Sequence, residues 1–283
     1  MVLRREPTAR QMRLAAELRR LRDAAGLSAA EAAALIGTGR VQITHIETGL
    51  TGVSEQRLRS LAAHYACTDA EFIDALVMMA TDRTRGWWEE YQGLLPTSFL
   101  DLSELEYHAS FRWDVDFLHV PGLFQTEDYA RAIFSRRIPE LPAQDLELRV
   151  RHRMQRRAVL DSPQPIPYEA VVHEAALRIR VGGRAASRAQ LTHILELSES
   201  EHVTVRVIPF ELDDFADVTA AMVYAGGAVP KLDTVVRDGP HGTLLIDSEA
   251  QLGVFRALFH RVEGVSLDPV RSRDLIHSLA KEL

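Results

Sequence analysis

The first 85 residues carry short apolar stretches at helical spacing, separated by turns that contain glycine. In the first predicted helix, residues 10–25, the apolar side chains recur about one helical turn apart: Met12, Leu14, Leu18 and Leu21. Ser28, followed three residues later by Glu31, is the capping-box pattern of a second helix. Further helices are predicted at about 39–48, 54–65 and 69–84. Helices this short, joined by tight turns, favour an all-α five-helix head.

The remainder of the chain reads differently. Residues 98–160 have a helical pattern that includes a basic helix at 145–160, which we expect to be a solvated charged face rather than a DNA contact. Its arginines are Arg149, Arg151, Arg153, Arg156 and Arg157. After the proline-rich SPQPIP, residues 167–283 show short strands alternating with helices, the last of them capped by Ser248. The predicted fold class is therefore multi-domain: the head over 1–85, then an α+β body over 86–283 with a helical part followed by a small mixed sheet.

Composition places the chain among ordinary soluble proteins, with 46% hydrophobic and 26% charged residues. A single cysteine, Cys67, excludes an internal disulfide framework. No uncharged apolar run reaches about 18 residues, so we expect a cytoplasmic protein with no membrane partner. The net charge of −7 is unevenly spread, because residues 1–66 hold ten arginines and six acids whereas the rest is strongly acidic. Nucleic-acid binding is therefore expected of the head.

The familiar signatures of catalysis are missing from the sequence. There is no HExxH, no Cys-His cluster and no GxSxG, so we expect no enzyme, no cofactor and no metal site. Asp213, Asp214 and Asp217 are predicted to be solvated turn residues. His173 and Glu174 could form a catalytic pair facing a pocket, but a structural role is favoured for both.

The segment IGTGRVQITHIETGL, residues 36–50, is the strongest functional signal. Its apolar stripe is narrow and consists of Ile43, Ile46 and Leu50. Two short helices with a tight turn between them, the second having such a stripe, are typical of a helix-turn-helix, whose second helix enters the DNA major groove. Arg40 can donate to guanine, Gln42 or His45 to a base edge or phosphate, and Val41 and the Thr44 methyl can contact a thymine methyl.

The run LRRLRDAAGLSAAEAAALIGTGRVQITHIETG resembles the xenobiotic-response-element family of phage-repressor-like regulators. This resemblance implies an ion pair between Arg22 and Glu47. It also implies that the bases are read by Arg40, Val41, Thr44 and His45. Relatives often place a glutamine at the start of the second helix to hold a phosphate, where this chain has Ala29. Contacts to the DNA backbone are therefore expected from Arg10, Arg13, Thr38, Gly39 and Gln42.

The segments VPGLFQTEDYARAIF, VRHRMQRR, HEAALR and VTVRVIPF are similar to the large C-terminal domain fused to such modules in actinobacterial regulators, a family often treated as antitoxin-like or developmental. Since a head this small covers only half a helical turn of DNA, a homodimer on an inverted-repeat operator is expected. Two alternatives stay open for the body. One is an antitoxin-like module that sequesters a small protein encoded nearby and autoregulates, and the other is a repressor that senses a small molecule.

Overall fold

The computed structural model describes residues 6–212, 221–239 and 242–283. Asp213, Asp214 and Asp217, predicted to be solvated turn residues, lie outside the described residues. The chain divides into two compact units: Met1–Glu89 with Phe99–Leu105, and Glu90–Ser98 with Glu106–Leu283. The predicted domain boundary after residue 85 did not anticipate that Phe99–Leu105 belongs to the first unit. Within the described ranges, every helix is too short or too polar to cross a membrane.

The first unit is helical, as predicted. Its helices are α1 (Ala9–Ala24), α2 (Ala29–Leu35), α3 (Arg40–Ile46), α4 (Glu55–His64), α5 (Ala70–Thr81) and the larger part of α6 (Thr97–Tyr107). The predicted capping box at Ser28 and Glu31 is present, and Thr8 with Gln11 forms a second one at the start of α1. These caps satisfy backbone N–H groups that the first turn of a helix leaves without partners.

A small apolar core holds α2, α3 and α4 together. It consists of Ala32, Ala33, Ile43, Leu61 and Tyr65. The stripe predicted for α3 is correct for Ile43 and Ile46, which are buried. Leu50 departs from it, because it lies beyond the last turn of α3 and is 42% exposed. One side of α3 is thus fixed by the core.

The second unit is built on a mixed sheet of six strands in the order β3-β2-β1-β4-β5-β6. The strands are β1 (Arg112–Asp116), β2 (Tyr168–His173), β3 (Val203–Ile208), β4 (Met222–Ala225), β5 (Thr234–Gly239) and β6 (Gly242–Ile246). Strands β1, β2 and β3 run parallel, whereas β4 and the strands after it pair antiparallel. The helical pattern predicted for residues 98–160 did not anticipate β1, which lies within them and occupies the middle of the sheet.

Helices cover both faces of this sheet. They are α7 (Glu127–Phe134), α8 (Ala143–Gln155), α9 (Ala158–Asp161), α10 (Glu174–Arg178), α11 (Arg184–Leu197), α12 (Glu249–Val265) and α13 (Pro269–Glu282). Successive residues of a strand point to opposite faces, so Val172 packs with Ile194 and Ile276 while Val171 packs with Phe259. Two apolar layers therefore enclose the sheet.

Two details at the helix ends of the second unit differ from the sequence analysis. Ser248 stands at the N-cap position of α12, but its side chain makes no capping hydrogen bond; its hydroxyl donates instead to Oε1 of Gln251, at 2.7 Å. Helix α12 is also not the last one, because α13 follows it after a short break. Thr126, by contrast, caps α7, because its hydroxyl accepts the N–H of Tyr129 at 3.4 Å.

Candidate DNA interface

A turn of four residues, 36–39, links α2 to α3. The N–H of Thr38 donates to the Ala33 carbonyl at 2.9 Å, and that of Gly37 to the Ala34 carbonyl at 3.2 Å. These bonds close the end of α2, where carbonyl groups lack partners within the helix. Gly39 then occupies the N-cap position of α3 without any side-chain cap. The N–H of Gln42 donates to the Gly39 carbonyl at 2.9 Å, whereas no side chain caps the N–H groups of Arg40 and Val41 within the described residues.

The outward face of α3 contains the residues predicted to read bases. Arg40 and Thr44 are exposed, Val41 is 65% exposed, and His45 is half-buried. The Thr44 hydroxyl donates to the Arg40 carbonyl at 3.2 Å, so its methyl group is the part left to a partner. Exposure of a valine on a short helix is unfavourable in water unless another surface covers it. This face therefore has the mixture of donor and apolar groups that the major groove can accept.

The residues predicted to contact the DNA backbone are in different situations. Gln42 is half-buried and donates to the Thr51 hydroxyl at 3.3 Å. Arg10 lies 3.6 Å from an Asp82 carboxylate oxygen, and burial lowers its pKa. Arg13 is buried, with Nε 2.6 Å from Oε1 of Glu17. These arginines are used within the head, and their contact with phosphate stays a prediction; Thr38 is half-buried and Gly39 exposed.

Arg22 and Glu47 come together across the head. Nε of Arg22 donates to Oε1 of Glu47 at 2.7 Å, and Nη2 donates to Oε2 at 2.9 Å. A third donor, Nη1, bonds the Leu27 carbonyl at 2.6 Å. The hydrogen bond to Glu47 raises the pKa of Arg22. Because Glu47 terminates α3, this forked pair ties the end of α3 to α1 and fixes the direction in which α3 presents its outward face.

Sequence reasoning missed a second polar cluster, which lies inside the other unit. We call it the buried ion cluster, and its members are Glu106, Arg112, Asp114, Arg156 and Tyr168. Arg112 binds both oxygens of Asp114, at 2.7 and 2.8 Å, and also contacts Glu106. Arg156 binds Glu106 at 2.9 and 2.5 Å, and the Tyr168 hydroxyl donates to Asp114 at 2.8 Å.

This cluster corrects the prediction for the basic helix at 145–160. Arg156 is 4% exposed and Arg153 is half-buried, so a fully solvated face is wrong for these two positions. Burial, followed by repulsion from Arg112, lowers the pKa of Arg156 to about 9. The guanidinium groups of Arg112 and Arg156 balance the carboxylates of Glu106 and Asp114 in charge. Charged groups can be buried only when they are paired in this way.

His173 and Glu174 both serve the local structure. Nδ1 of His173 accepts the N–H of Ala175 at 3.1 Å and so caps α10. Glu174 accepts the N–H of Phe210 at 2.8 Å and the Nε–H of Arg178 at 2.6 Å. The contacts thus fit the structural role favoured for the pair.

Comparison with known proteins adds two findings. Residues 99–278 match the model of a family described as Domain of unknown function (DUF5753). Residues 13–73 match the model described as Helix-turn-helix domain, which indicates a DNA-binding head. Neither the curated proteins nor the solved structures contained a match to the chain.

Proposed function

The chain belongs to the family described as Domain of unknown function (DUF5753), with a helix-turn-helix head before it, and from this premise we propose that it is a sequence-specific regulator of transcription. The observation that carries the proposal is the outward face of α3. Arg40, Val41 and Thr44 project from a helix whose other side is fixed by Ile43 and Ile46. A helix held in this way can enter the major groove without losing its own packing.

The side chains of α3 have distinct roles in this proposal. Arg40, which has no ion pair within the described part of the chain, donates through its planar guanidinium to O6 and N7 of a guanine. Val41 and the Thr44 methyl contact thymine methyl groups, while His45 bonds a base edge. The open N–H groups at the start of α3, with Thr38 and Gly39, face a phosphate. Of the side chains predicted to hold phosphate, Gln42 has only a neutral partner, the Thr51 hydroxyl at 3.3 Å, whereas Arg10 and Arg13 face carboxylates of Asp82 and Glu17.

We propose in addition that two copies bind an inverted repeat, in the manner of the xenobiotic-response-element type. One head contacts the groove over half a turn, so a second head is needed for useful affinity, and half-sites one helical turn apart follow from a two-fold dimer.

A regulatory rather than catalytic role is supported by the structural use of His173 and Glu174.

Selection of duplexes from a random library by the full chain, followed by affinity measurements, tests base reading. Arg40→Ala should weaken binding to the selected site by roughly 1–3 kcal/mol and relax the preference at one base pair of each half-site. The matched control is Arg19→Ala, which removes an exposed arginine from α1 and should change affinity less than about twofold. Failure to enrich any sequence, or an equal loss on selected and random duplex, would contradict the proposal.

Assembly is tested separately, by light scattering of the full chain at micromolar concentration with and without the selected duplex. We expect two chains per duplex and two half-sites related by inversion. A single chain under both conditions would refute the dimer while leaving base reading by α3 intact.

A further inference from the structure

Two charged side chains next to the buried ion cluster lack the partners that its members have. Asp116 lies two residues after Asp114 and therefore on the same face of β1. Its carboxylate has neither a hydrogen bond nor an ion pair within residues 6–212, 221–239 and 242–283. Arg153 lies one turn before Arg156 on α8. In the same ranges it makes one side-chain hydrogen bond, from Nη1 to Oε1 of Gln125 at 2.8 Å.

The position of Arg153 is set by its surroundings. Its guanidinium carbon lies 5.1 Å from the centre of the Phe134 ring. A Cβ atom added to Gly122 would come within 3.1 Å of Nη1 of Arg153, so glycine at this position allows the backbone to pack directly against the guanidinium. A guanidinium has five N–H donors in a fixed plane. Held on two sides and bonded through one nitrogen, Arg153 keeps donors for a further acceptor.

Electrostatic effects at these two groups agree with the geometry. Burial, followed by repulsion from Asp114, raises the pKa of Asp116 well above its usual value. Burial, followed by repulsion from Arg156, lowers the pKa of Arg153 to about 9. Both groups are half-buried and neither forms an ion pair within the described ranges, although each lies in the field of the other. Groups perturbed in this way concentrate at sites where a ligand supplies the missing interactions.

The location is one where α/β proteins bind ligands. Asp116 is the last residue of β1, and in sheets with parallel strands ligands bind beside the carboxyl ends of the strands. Here the parallel half of the sheet also meets the antiparallel half, because β1 pairs with β2 on one side and β4 on the other. Asp238, near the end of β5, is an exposed residue whose negative charge also raises the pKa of Asp116. The surroundings thus contain two carboxylates and one guanidinium outside the buried ion cluster.

We infer that this place is a binding site for a small zwitterion of the α-amino acid class, whose ammonium group bonds Asp116 and whose carboxylate bonds Arg153. A simple anion would meet two carboxylates there, and a simple cation would meet the guanidinium. A molecule that carries both charges on groups attached to one carbon atom complements each group. The inference concerns the second unit alone and goes beyond the DNA binding proposed for the head.

The experiment is thermal denaturation of the full chain with each proteinogenic amino acid added singly. At ten times its dissociation constant, a bound amino acid should raise the melting temperature by about 3–6 °C. The N-acetylated and the carboxamide forms of the same amino acid test the two ends separately. Each should lose at least half of the shift, because one removes the ammonium charge and the other the carboxylate.

Three variants complete the test. Asp116→Asn and Arg153→Gln should each abolish the shift, whereas Arg151→Gln, an exposed position on the same helix, should retain it. The inference is overturned if no amino acid stabilises the wild-type chain, or if both blocked derivatives act as well as the parent. It is also overturned if Asp116→Asn and Arg153→Gln respond like the wild type. Should a variant not fold, the blocked derivatives decide the matter on the wild-type chain. DNA binding is measured independently, so neither result depends on the other.

Discussion

Replacing Glu106 by glutamine tests how much the buried ion cluster contributes to stability. Glu106 is 1% exposed, accepts two hydrogen bonds from Arg156 and contacts Arg112. Glutamine has nearly the same shape, but it presents one acceptor oxygen and an NH₂ group to two guanidinium groups. Two positive charges would then share the single carboxylate of Asp114. Removing one member of a buried ion pair costs about 3–5 kcal/mol.

Hydrogen exchange of the backbone amides in β1 and β2 measures this cost where it arises. A loss of about 3–5 kcal/mol corresponds to exchange that is roughly 10²- to 5 × 10³-fold faster for amides that require the sheet to open. The control is Glu147→Gln, which removes an ion pair with Arg131 at the exposed surface. Exposed pairs contribute about 0–1 kcal/mol, so exchange should change less than roughly fivefold.

A second variant separates charge imbalance from loss of shape. Adding Arg156→Gln to Glu106→Gln removes one positive charge and restores the balance between Arg112 and Asp114. We expect part of the lost protection to return in the double variant. If Glu106→Gln behaves like Glu147→Gln, or if the double variant loses the sum of the two single effects, the account of the cluster as a charge-balanced unit is refuted.

Two further predictions concern the backbone of the head and the pH dependence of the body. Gly49 has a φ of 72°, and a Cβ atom there would lie 3.1 Å from Cβ of Pro7, whereas Gly26 has a φ of 71° and open space around it. Gly26→Ala should lower the stability of the head by roughly 1–2 kcal/mol, because alanine is strained at this φ. Gly49→Ala should lower it by more, because the added Cβ also meets Pro7. Equal melting temperatures of the two variants would contradict the Pro7 contact. Burial, then repulsion from Arg156, lowers the pKa of His152 to about 3, so this ring is neutral in the folded protein while the unfolded chain binds its proton near pH 6.5. The contribution of the neutral His152 ring to the unfolding free energy is thus complete above pH 6.5 and is lost as the pH falls towards 3, by about 1.4 kcal/mol per pH unit. His152→Gln should flatten the slope of the unfolding free energy against pH between pH 6 and 4, whereas the control His277→Gln, at an exposed position, should leave it unchanged. An unchanged slope in His152→Gln would refute the assignment.

The head could be predicted well because its signals are local. A serine followed by a glutamate three residues later, and glycines after apolar runs, act within one or two turns of helix. The face of α3 also follows from spacing alone, since Ile43 and Ile46 point inwards wherever the helix is placed. What spacing did not reveal is that Arg10 and Arg13 are engaged by acids of their own unit. Those partnerships depend on three-dimensional proximity.

Strand β1 escaped prediction for a physical reason. In RWDVD, charged residues alternate with apolar ones, and charged side chains such as Arg112 and Asp114 are rarely fully buried unless they are paired. Both are buried because they pair with each other, while Arg112 also contacts Glu106, whose remaining charge is met by Arg156. The alternation itself was a usable signal, as a period of two is typical of a strand. For the same reason the basic helix at 145–160 could not be assigned: the acid that receives Arg156 stands 50 residues earlier.

The place of β1 in the sheet also determines the order in which the protein can fold during synthesis. Trp113 pairs with Glu169 on one side and with Tyr224 on the other, so the central strand must wait for both partners to be made. At synthesis rates of about 5–20 residues per second, the interval between Trp113 and Tyr224 is roughly 5–20 s. During this interval the buried charges of β1 have only part of their final surroundings, and the side of the strand that β4 will occupy remains open to chaperones or to other nascent chains. The first unit ends at Leu105, so all of its helices, including the Asp101 side chain that bonds the start of α1, are synthesised before the sheet can close.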